Sequence, residues 1–414
     1  MKKKLLFIGI SMECAGTEKA FLSLADAIDY ERYDVDLLLA RKSGSLLDSI
    51  PPQINVIEMT GPTGLFFLSS KNAFANIWRS LIKPNPSSFF TVLPWFLKLV
   101  FARTKRSFTA ARMWVALMKK YMPEFDGSGY DAVIAYWGDR TMFYMLDMVK
   151  GAKRNIAWLH FDYANPPRED ALYEPYFARC DAVVTVSESI DAALREALPS
   201  VAERCVSMEN IISGRLIRTE ALKGETFPDV GYKGKRILSV CRLSYQKGVD
   251  FIIPVLSRLR KEGIECRWYI IGDGEESERS KLIEAAFNAE VADIFMLLGT
   301  KLNPYSFMRD CDVFVLPSRF EGRPITVEEA KILMKPIVVS DYLSAREQLW
   351  DGELGIVTPM GEEGIYRGVR RMLSDSSLRD RLTVKLSKCD FGTEDRIDRF
   401  YDIVEGRLPG KNDC

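Results

Sequence analysis

The sequence predicts an α/β protein built as two Rossmann-like, doubly wound domains, and three observations lead there. The chain has 414 residues, too many for one ordinary core at about 100–200 residues per domain. Short apolar runs alternate with helical periodicity along almost its whole length. Those runs lack polar alternation, as expected of parallel strands covered on both faces by helices.

In the first half the strand-like runs are Leu5–Ile10, Val35–Leu39, Ala132–Tyr136, Asn155–Leu159 and Ala182–Val186. Each is too short for a helix and is bounded by Gly, Asp or polar clusters. Between the first two, Phe21, Leu24, Ala25 and Ile28 fall on one face of a helix over about 18–28. The second half repeats the scheme with Arg236–Val240, Arg267–Ile271, Ile294–Leu298, Val313–Leu316 and Ile337–Ser340. A Gly- and charge-rich stretch, Met208–Lys235, is the expected hinge, which sets domains at 1–207 and 208–392. The remainder, 393–414, carries an amphipathic helix (Ile397, Phe400, Tyr401, Val404) able to pack on either domain.

Composition narrows the class. Apolar residues make up 47% and charged residues 28%, a balance that suits a packed globular protein and not a disordered one. Lys+Arg and Asp+Glu are both 57, so total charge names no partner. The eight cysteines are scattered without Cys-x-x-Cys pairs, as expected of reduced core residues in a cytosolic protein. The opening MKKKLLFIGIS mimics a signal peptide but reads as a first strand, because its apolar part ends by Glu13 without a small-residue cleavage pattern. No apolar run reaches the roughly 20 residues that span a bilayer.

The segment richest in chemistry is Val313–Ser340. A strand leads into a loop, Ser318–Arg323, and Pro324 then suits the first turn of a helix. Amides of Ile325 and Thr326 would point out of that helix start, an anion site suited to a diphosphate. Glu321 lies just before the helix and Glu329 eight positions later, so one carboxylate can reach a sugar while the other accepts from ribose hydroxyls. Taken alone, two such glutamates are more commonly solvated surface acids. Arg242 and Lys247 follow another strand in a loop at the carboxyl edge of the sheet, where doubly wound folds bind ligands. Two cations there can neutralise a leaving diphosphate, though isolated surface charges look the same. Gly272-Asp-Gly274 is a turn after a strand, and Gly16 in Gly16-Thr-Glu-Lys19 would let a backbone approach a ligand at a helix start. His160, the sole histidine, sits at the end of Asn155–Leu159, a place equally open to a structural and a functional role. Asp310-Cys-Asp312 has the form of a metal-binding Asp-x-Asp, but Asp312 opens a strand, the wrong end for a ligand site in a parallel sheet.

Taken together, Arg242-x4-Lys247-Gly248, Gly272-Asp273-Gly274 and Ser318-x-x-Glu321-Gly322-x-Pro324-x4-Glu329-Ala330 resemble, in order and spacing, the family 4 glycosyltransferases of the GT-B fold. Gly16-Thr-Glu-Lys19, the His160 strand end, Cys180–Glu188 and Asn210 extend the likeness over nearly the whole chain. The resemblance implies two domains facing across a cleft and a retaining transferase using a nucleoside-diphosphate sugar, with a UDP-sugar as first candidate. It implies Arg242 and Lys247 at the donor diphosphate, Glu329 at the ribose, and Glu321 with the backbone of Gly322, Arg323, Pro324 and Ile325 at the sugar. Backbone near Thr300–Leu302 would meet the base, and His160 would face the sugar from the N-terminal domain. Neither a cofactor nor a metal is implied. Two departures stand out: Ala15-Gly16 replaces a usual Gly-Gly pair, and Met334-Lys335 stands where a Gly is usual.

Residues 61–123 contain no acid and ten cations: Lys71, Arg79, Lys83, Lys98, Arg103, Lys105, Arg106, Arg112, Lys119 and Lys120. Large aromatics are interleaved with them, which suits a helix lying in an anionic membrane surface. A helical excursion with core aromatics has the same composition. Nucleic acid is disfavoured because no base-reading motif accompanies the charge. The expected activity is therefore sugar transfer to a surface glycan or lipid-linked acceptor at the cytoplasmic membrane face. Rival readings are a non-catalytic sugar-nucleotide-binding or scaffold protein and a GT-B-like sugar-nucleotide epimerase. A nicotinamide dehydrogenase is disfavoured, since Gly9-Ile-Ser-Met-Glu-Cys14 lacks Gly-x-Gly-x-x-Gly.

Overall fold

The computed structural model describes residues 2–67, 77–84, 86–90, 92–94, 110–165 and 167–407. The chain divides into two compact units. One holds residues 1–186, 190–208 and 396–414, and the other 187–189 and 209–395.

In the first unit the strands are β1 (Lys3–Gly9), β2 (Tyr33–Leu39), β3 (Asn55–Glu58), β5 (Ala132–Ala135), β7 (Asn155–Leu159), β8 (Ala182–Thr185) and β9 (Cys205–Ser207). They form one seven-stranded sheet in the order β3-β2-β1-β5-β7-β8-β9. Every described pairing is parallel, with Leu5 opposite both Val35 and Ala132. Two short strands, β4 (Phe125–Asp126) and β6 (Val149–Lys150), pair separately. The expected helix covers Gly16–Ala27 and buries Phe21, Leu24 and Ala25 against this sheet's core.

The second unit has β10 (Lys235–Val240), β11 (Cys266–Ile271), β12 (Phe295–Gly299), β13 (Val313–Leu316), β14 (Ile337–Ser340) and β15 (Ile356–Thr358). Their order is β12-β11-β10-β13-β14-β15, all parallel, which is 3-2-1-4-5-6 in chain order and hence a dinucleotide-fold sheet. In both sheets the strand order reverses once, beside β1 and beside β10. The crevice beyond the carboxyl ends at such a reversal is where open α/β sheets bind ligands.

The C-terminal helix, Ile397–Glu405, belongs to the first unit. Phe400 stacks on Phe7 at 6.1 Å and Tyr401 on Tyr33 at 4.9 Å. Burial alone would raise the Glu405 carboxyl, but hydrogen bonds from Lys3 and Tyr33 bring it down to about 2. That helix is thus tied by both apolar contact and charge. The expected hinge is more structured than its composition suggests. Ser213 caps a helix over Gly214–Glu220 by accepting from the Leu216 amide.

The basic region 61–123 divides. Phe66 and Trp114 are fully buried, and the Trp114 indole donates to Asp147 at 2.8 Å. Burial would raise Asp147, yet donors from Trp114, Arg179 and Tyr176 hold it at about 2. Arg112 pairs with Glu169 and Lys119 with Asp147, so these two cations have structural partners. Trp78, Phe89 and Phe90 are exposed, as are Arg79 and Lys83. The expectations for Lys71, Lys98, Arg103, Lys105 and Arg106 lie outside the described residues. Among the described residues no helix is long and apolar enough to cross a membrane.

Candidate active site

In the second unit the reversal lies between β10 and β13, and the loops leaving them meet. After β10 the chain makes a tight turn at Gly248, whose φ is 64° and whose added Cβ would strike the Pro317 carbonyl at 2.0 Å. Only glycine fits there, and that contact brings Lys247 against the loop after β13. Lys247 Nζ lies 2.6 Å from Glu321 Oε1, and Ser318 Oγ donates to the same oxygen at 2.6 Å. Glu321 is 5% exposed, so its charge is held by these two donors and not by solvent. Arg242 is exposed and enters no ion pair among the described residues.

The remaining second-unit residues line the same edge. Gly272 follows β11 at φ 137°, and a Cβ there would strike the Cys241 carbonyl at 2.0 Å. Its amide donates to the Gly299 carbonyl at 2.9 Å, which brings exposed Thr300 and Leu302, just past β12, to the same end. The helix after β13 covers Ile325–Ile332, and Pro324 is its N-cap with extended ψ of 119°. Pro324 therefore stands one position ahead of the first-turn site expected for it. The fixed φ of proline serves either place, and here the capping carbonyl accepts from Val327 at 3.2 Å. Glu329 is 1% exposed and receives the Tyr305 hydroxyl on Oε1 at 2.9 Å. Thr326 is half-buried at the helix start. Arg323 is not a surface cation. The residue is 9% exposed, and its guanidinium lies at 2.9 Å from Glu328, 2.9 Å from Glu347 and 3.2 Å from Glu209.

Asp310 and Asp312 do not converge on a common point. Asp310 chelates the Arg309 guanidinium, while Asp312 receives Lys235 at the amino end of the sheet. Among the described residues no group of three or more His, Cys, Asp or Glu side chains is placed to hold a metal.

The first unit's reversal is chemically different. Gly16 opens its helix, and an added Cβ there would meet nothing within 4 Å among the described residues. Across the reversal the Trp137 indole, just past β5, donates to Glu18 at 3.2 Å. His160, just past β7, sits 4.5 Å from the Tyr136 ring, and its Nε2 is shut off from solvent without a partner among the described residues. Burial pushes the imidazole down to about 3, so it is neutral at pH 7.

Sequence reasoning missed Tyr305, Trp137 and the acids around Arg323, and it quoted Ser318 and Glu18 in motifs without their roles as partners. Ser318-x-x-Glu321 was a visible signal, since that spacing puts a hydroxyl and a carboxylate within reach. Tyr305 and Glu329 are 24 residues apart on different elements, and no local pattern joins them.

Residues 227–386 match the family model described as glycosyl transferases group 1. Over 179 residues the chain is 30% identical to the N-acetylgalactosamine-N,N'-diacetylbacillosaminyl-diphospho-undecaprenol 4-alpha-N-acetylgalactosaminyltransferase of Campylobacter jejuni, a match covering 43% of this chain and 46% of that one. The chain spans about half the length of this relative and of two others matched over similar stretches. An uncharacterised glycosyltransferase of Haemophilus influenzae is 25% identical over 313 residues, 74% of this chain and 85% of that one. Among solved structures, Anabaena Alr3699/HepE in complex with UDP and glucose superposes with a TM-score of 0.68 at 15% identity, covering 98% of this chain and 100% of that one. The fold is therefore GT-B, with two Rossmann-like sheets.

Proposed function

We propose that the chain is a retaining, metal-independent glycosyltransferase that moves a sugar from a nucleoside-diphosphate sugar, a UDP-sugar first among candidates, to a lipid-linked or surface glycan at the cytoplasmic membrane face. The observation that carries this reading is the second unit's switch point. An exposed cation (Arg242), a lysine–carboxylate pair (Lys247–Glu321), a helix start and a buried acid (Glu329) gather at one sheet edge. Such an edge suits a diphosphate flanked by a ribose and a sugar.

In this reaction the bond from the anomeric carbon to the diphosphate oxygen breaks. The acceptor hydroxyl oxygen bonds to the same face of that carbon, and its proton passes to the departing phosphate oxygen. Arg242 and Lys247 stabilise the charge that grows on the leaving diphosphate, where preorganised cations act most strongly. Lys247 is already paired with Glu321, so an arriving phosphate shares or takes that ammonium. Glu329, with one oxygen on Tyr305, accepts from the ribose hydroxyls. Neutral His160 contributes a hydrogen bond and no charge. UDP and glucose bound to the Anabaena neighbour, and the lipid diphosphate in the Campylobacter relative's name, support the choice of donor and acceptor class. Exposed Trp78, Phe89 and Phe90 beside Arg79 and Lys83 support contact with an anionic membrane.

A thermal-shift screen of nucleoside-diphosphate sugars tests this directly. A true donor at 100 times its dissociation constant adds about 2.7 kcal/mol of stability. If no nucleoside diphosphate or sugar conjugate stabilises the protein, the reading fails. Activity that dies in EDTA and returns with Mg²⁺ would overturn the metal-independent part.

A further inference from the structure

The loop Ser318–Pro324 is held from two sides. On one side the Arg319 amide donates to the Gln246 carbonyl at 2.7 Å, and Gln246 Nε2 donates to the Phe320 carbonyl at 3.0 Å. On the other, three side chains spaced four apart, starting at the end of β14, each take one loop carbonyl. Ser340 Oγ donates to Ser318 O, Ser344 Oγ to Gly322 O, and Gln348 Nε2 to Pro324 O at 3.0 Å. All three donors are fully buried.

A trans peptide points its C=O and the following N–H in opposite directions. With the Gly322 and Pro324 carbonyls turned towards Ser344 and Gln348, the amides of Arg323 and Ile325 point the other way. Neither amide has an acceptor among the described residues. The Gln348 amide is itself fixed. Its Oε1 accepts from the buried Tyr342 hydroxyl at 2.9 Å, its Nε2 also donates to Glu328 at 2.9 Å, and the residue's backbone carbonyl receives Lys331 Nζ at 3.2 Å. Glu328 in turn pairs with Arg323 at 2.9 Å and with Lys331 at 2.5 Å, and Arg323 pairs with Glu347 and Glu209. Burial would raise Glu328, but Lys331 and Arg323 hold it below the usual carboxylate range, so this carboxyl is ionised.

We propose that Ser344, Gln348 and the Arg323 side chain are positioning residues, a rear clamp that presets the Arg323 and Ile325 amides towards the donor's leaving diphosphate. The inference rests on the glycosyltransferase reading above. It also explains why charges are buried here. A loop whose carbonyls are pinned, and whose Arg323 side chain is locked among buried acids, cannot rotate its amides away when no ligand is bound. Preorganised donors of this kind cost no rearrangement as charge develops.

The test is steady-state kinetics on Ser344→Ala and Gln348→Met, with calorimetric UDP binding to the wild type as the control for the underlying reading. A loosened clamp lowers kcat per folded molecule by about 10- to 100-fold, since small misplacements of catalytic groups have effects of that size. KM for the donor moves by no more than about three-fold, because ground-state binding rests mainly on Arg242, Lys247 and Glu329. A purely structural role would reduce the folded fraction and leave kcat per folded molecule unchanged, and that result overturns the clamp. Should Gln348→Met fail to fold, Ser344→Ala, which removes a single hydroxyl, decides alone. A wild type that binds no UDP and no other nucleoside diphosphate removes the functional reading and the clamp with it, whereas normal binding and turnover with unaffected kcat in both variants removes the clamp only.

Discussion

At the second unit's switch point, a lysine and a carboxylate meet at 2.6 Å, an exposed arginine stands beside them and a helix start follows. At the first unit's switch point, the same topology presents an indole, a phenol and an imidazole that burial keeps neutral, with one carboxylate bonded to the indole. Two sheets with one winding rule thus carry opposite chemistry at equivalent edges. Topology selects where a ligand can bind, and side-chain charge selects which ligand. An edge that carries cations suits a diphosphate, whereas an aromatic edge with the Glu18 carboxylate suits the hydroxyls and apolar faces of sugars.

The largest expected effects fall on the charged edge. Arg242→Ala and Lys247→Ala should each cut turnover by roughly 10²–10³, the scale of losing one preorganised donor. The double variant should lose less than the product, because both groups serve one leaving group. His160→Gln, which removes only a neutral hydrogen bond, should lose roughly ten-fold or less. Transfer assays on the four proteins decide it, and an equal loss in His160→Gln would erase the contrast between the edges.

The second effect separates the two glutamates. Glu329→Ala should weaken free UDP binding by about 10- to 100-fold, the range for hydrogen bonds to a charged group. Glu321→Ala should leave it nearly intact while lowering turnover. Calorimetry with UDP reads both, and equal losses would mean the two roles are misassigned.

The third is a pH effect confined to the first unit. A histidine whose folded value is depressed binds fewer protons folded than unfolded, so stability falls as pH drops below the ordinary imidazole range. Asp147 and Glu405, both held at about 2, lose their contributions only below the usual carboxylate range. Between pH 7 and pH 5 the melting temperature of the wild type should therefore fall more steeply than that of His160→Gln. Parallel curves for the two proteins would mean that the imidazole is not held neutral.

The smallest effect belongs to the exposed cations of 61–123. Each one near an anionic bilayer adds about 1 kcal/mol, roughly five-fold in partitioning. Arg79→Glu and Lys83→Glu should weaken vesicle co-sedimentation at low salt by more than that, since each reverses a charge. A protein that ignores anionic vesicles even at low salt has no membrane face in this region.

Much of this architecture was legible because its central strands are apolar runs buried on both faces. Five strands in each half were placed to within about two residues by that signal alone. The strands that escaped, β3, β4, β6, β9 and β15, are two to four residues long, too short to show a period. The strand–loop–helix form of the 313–332 segment was legible because a buried apolar strand, a Gly- and Pro-bearing loop and a helix start follow one another directly in the chain. Arg323 was legible only in its backbone. Nothing local says that its side chain turns inward, because Glu209, Glu328 and Glu347 come from three separate segments. The Ser340–Ser344–Gln348 series was hidden for a related reason. Small hydroxyls and an amide read as loop composition until the carbonyls they cover are seen.

The central claim is that the nucleoside diphosphate is held by the second unit's charged edge, and hydrogen–deuterium exchange with and without UDP tests it on the unmutated protein. The prediction is strong protection across residues 240–248 and 319–330 when UDP is bound, with little change across 155–163. Protection centred on 155–163, with 319–330 exchanging as in the free protein, would contradict it.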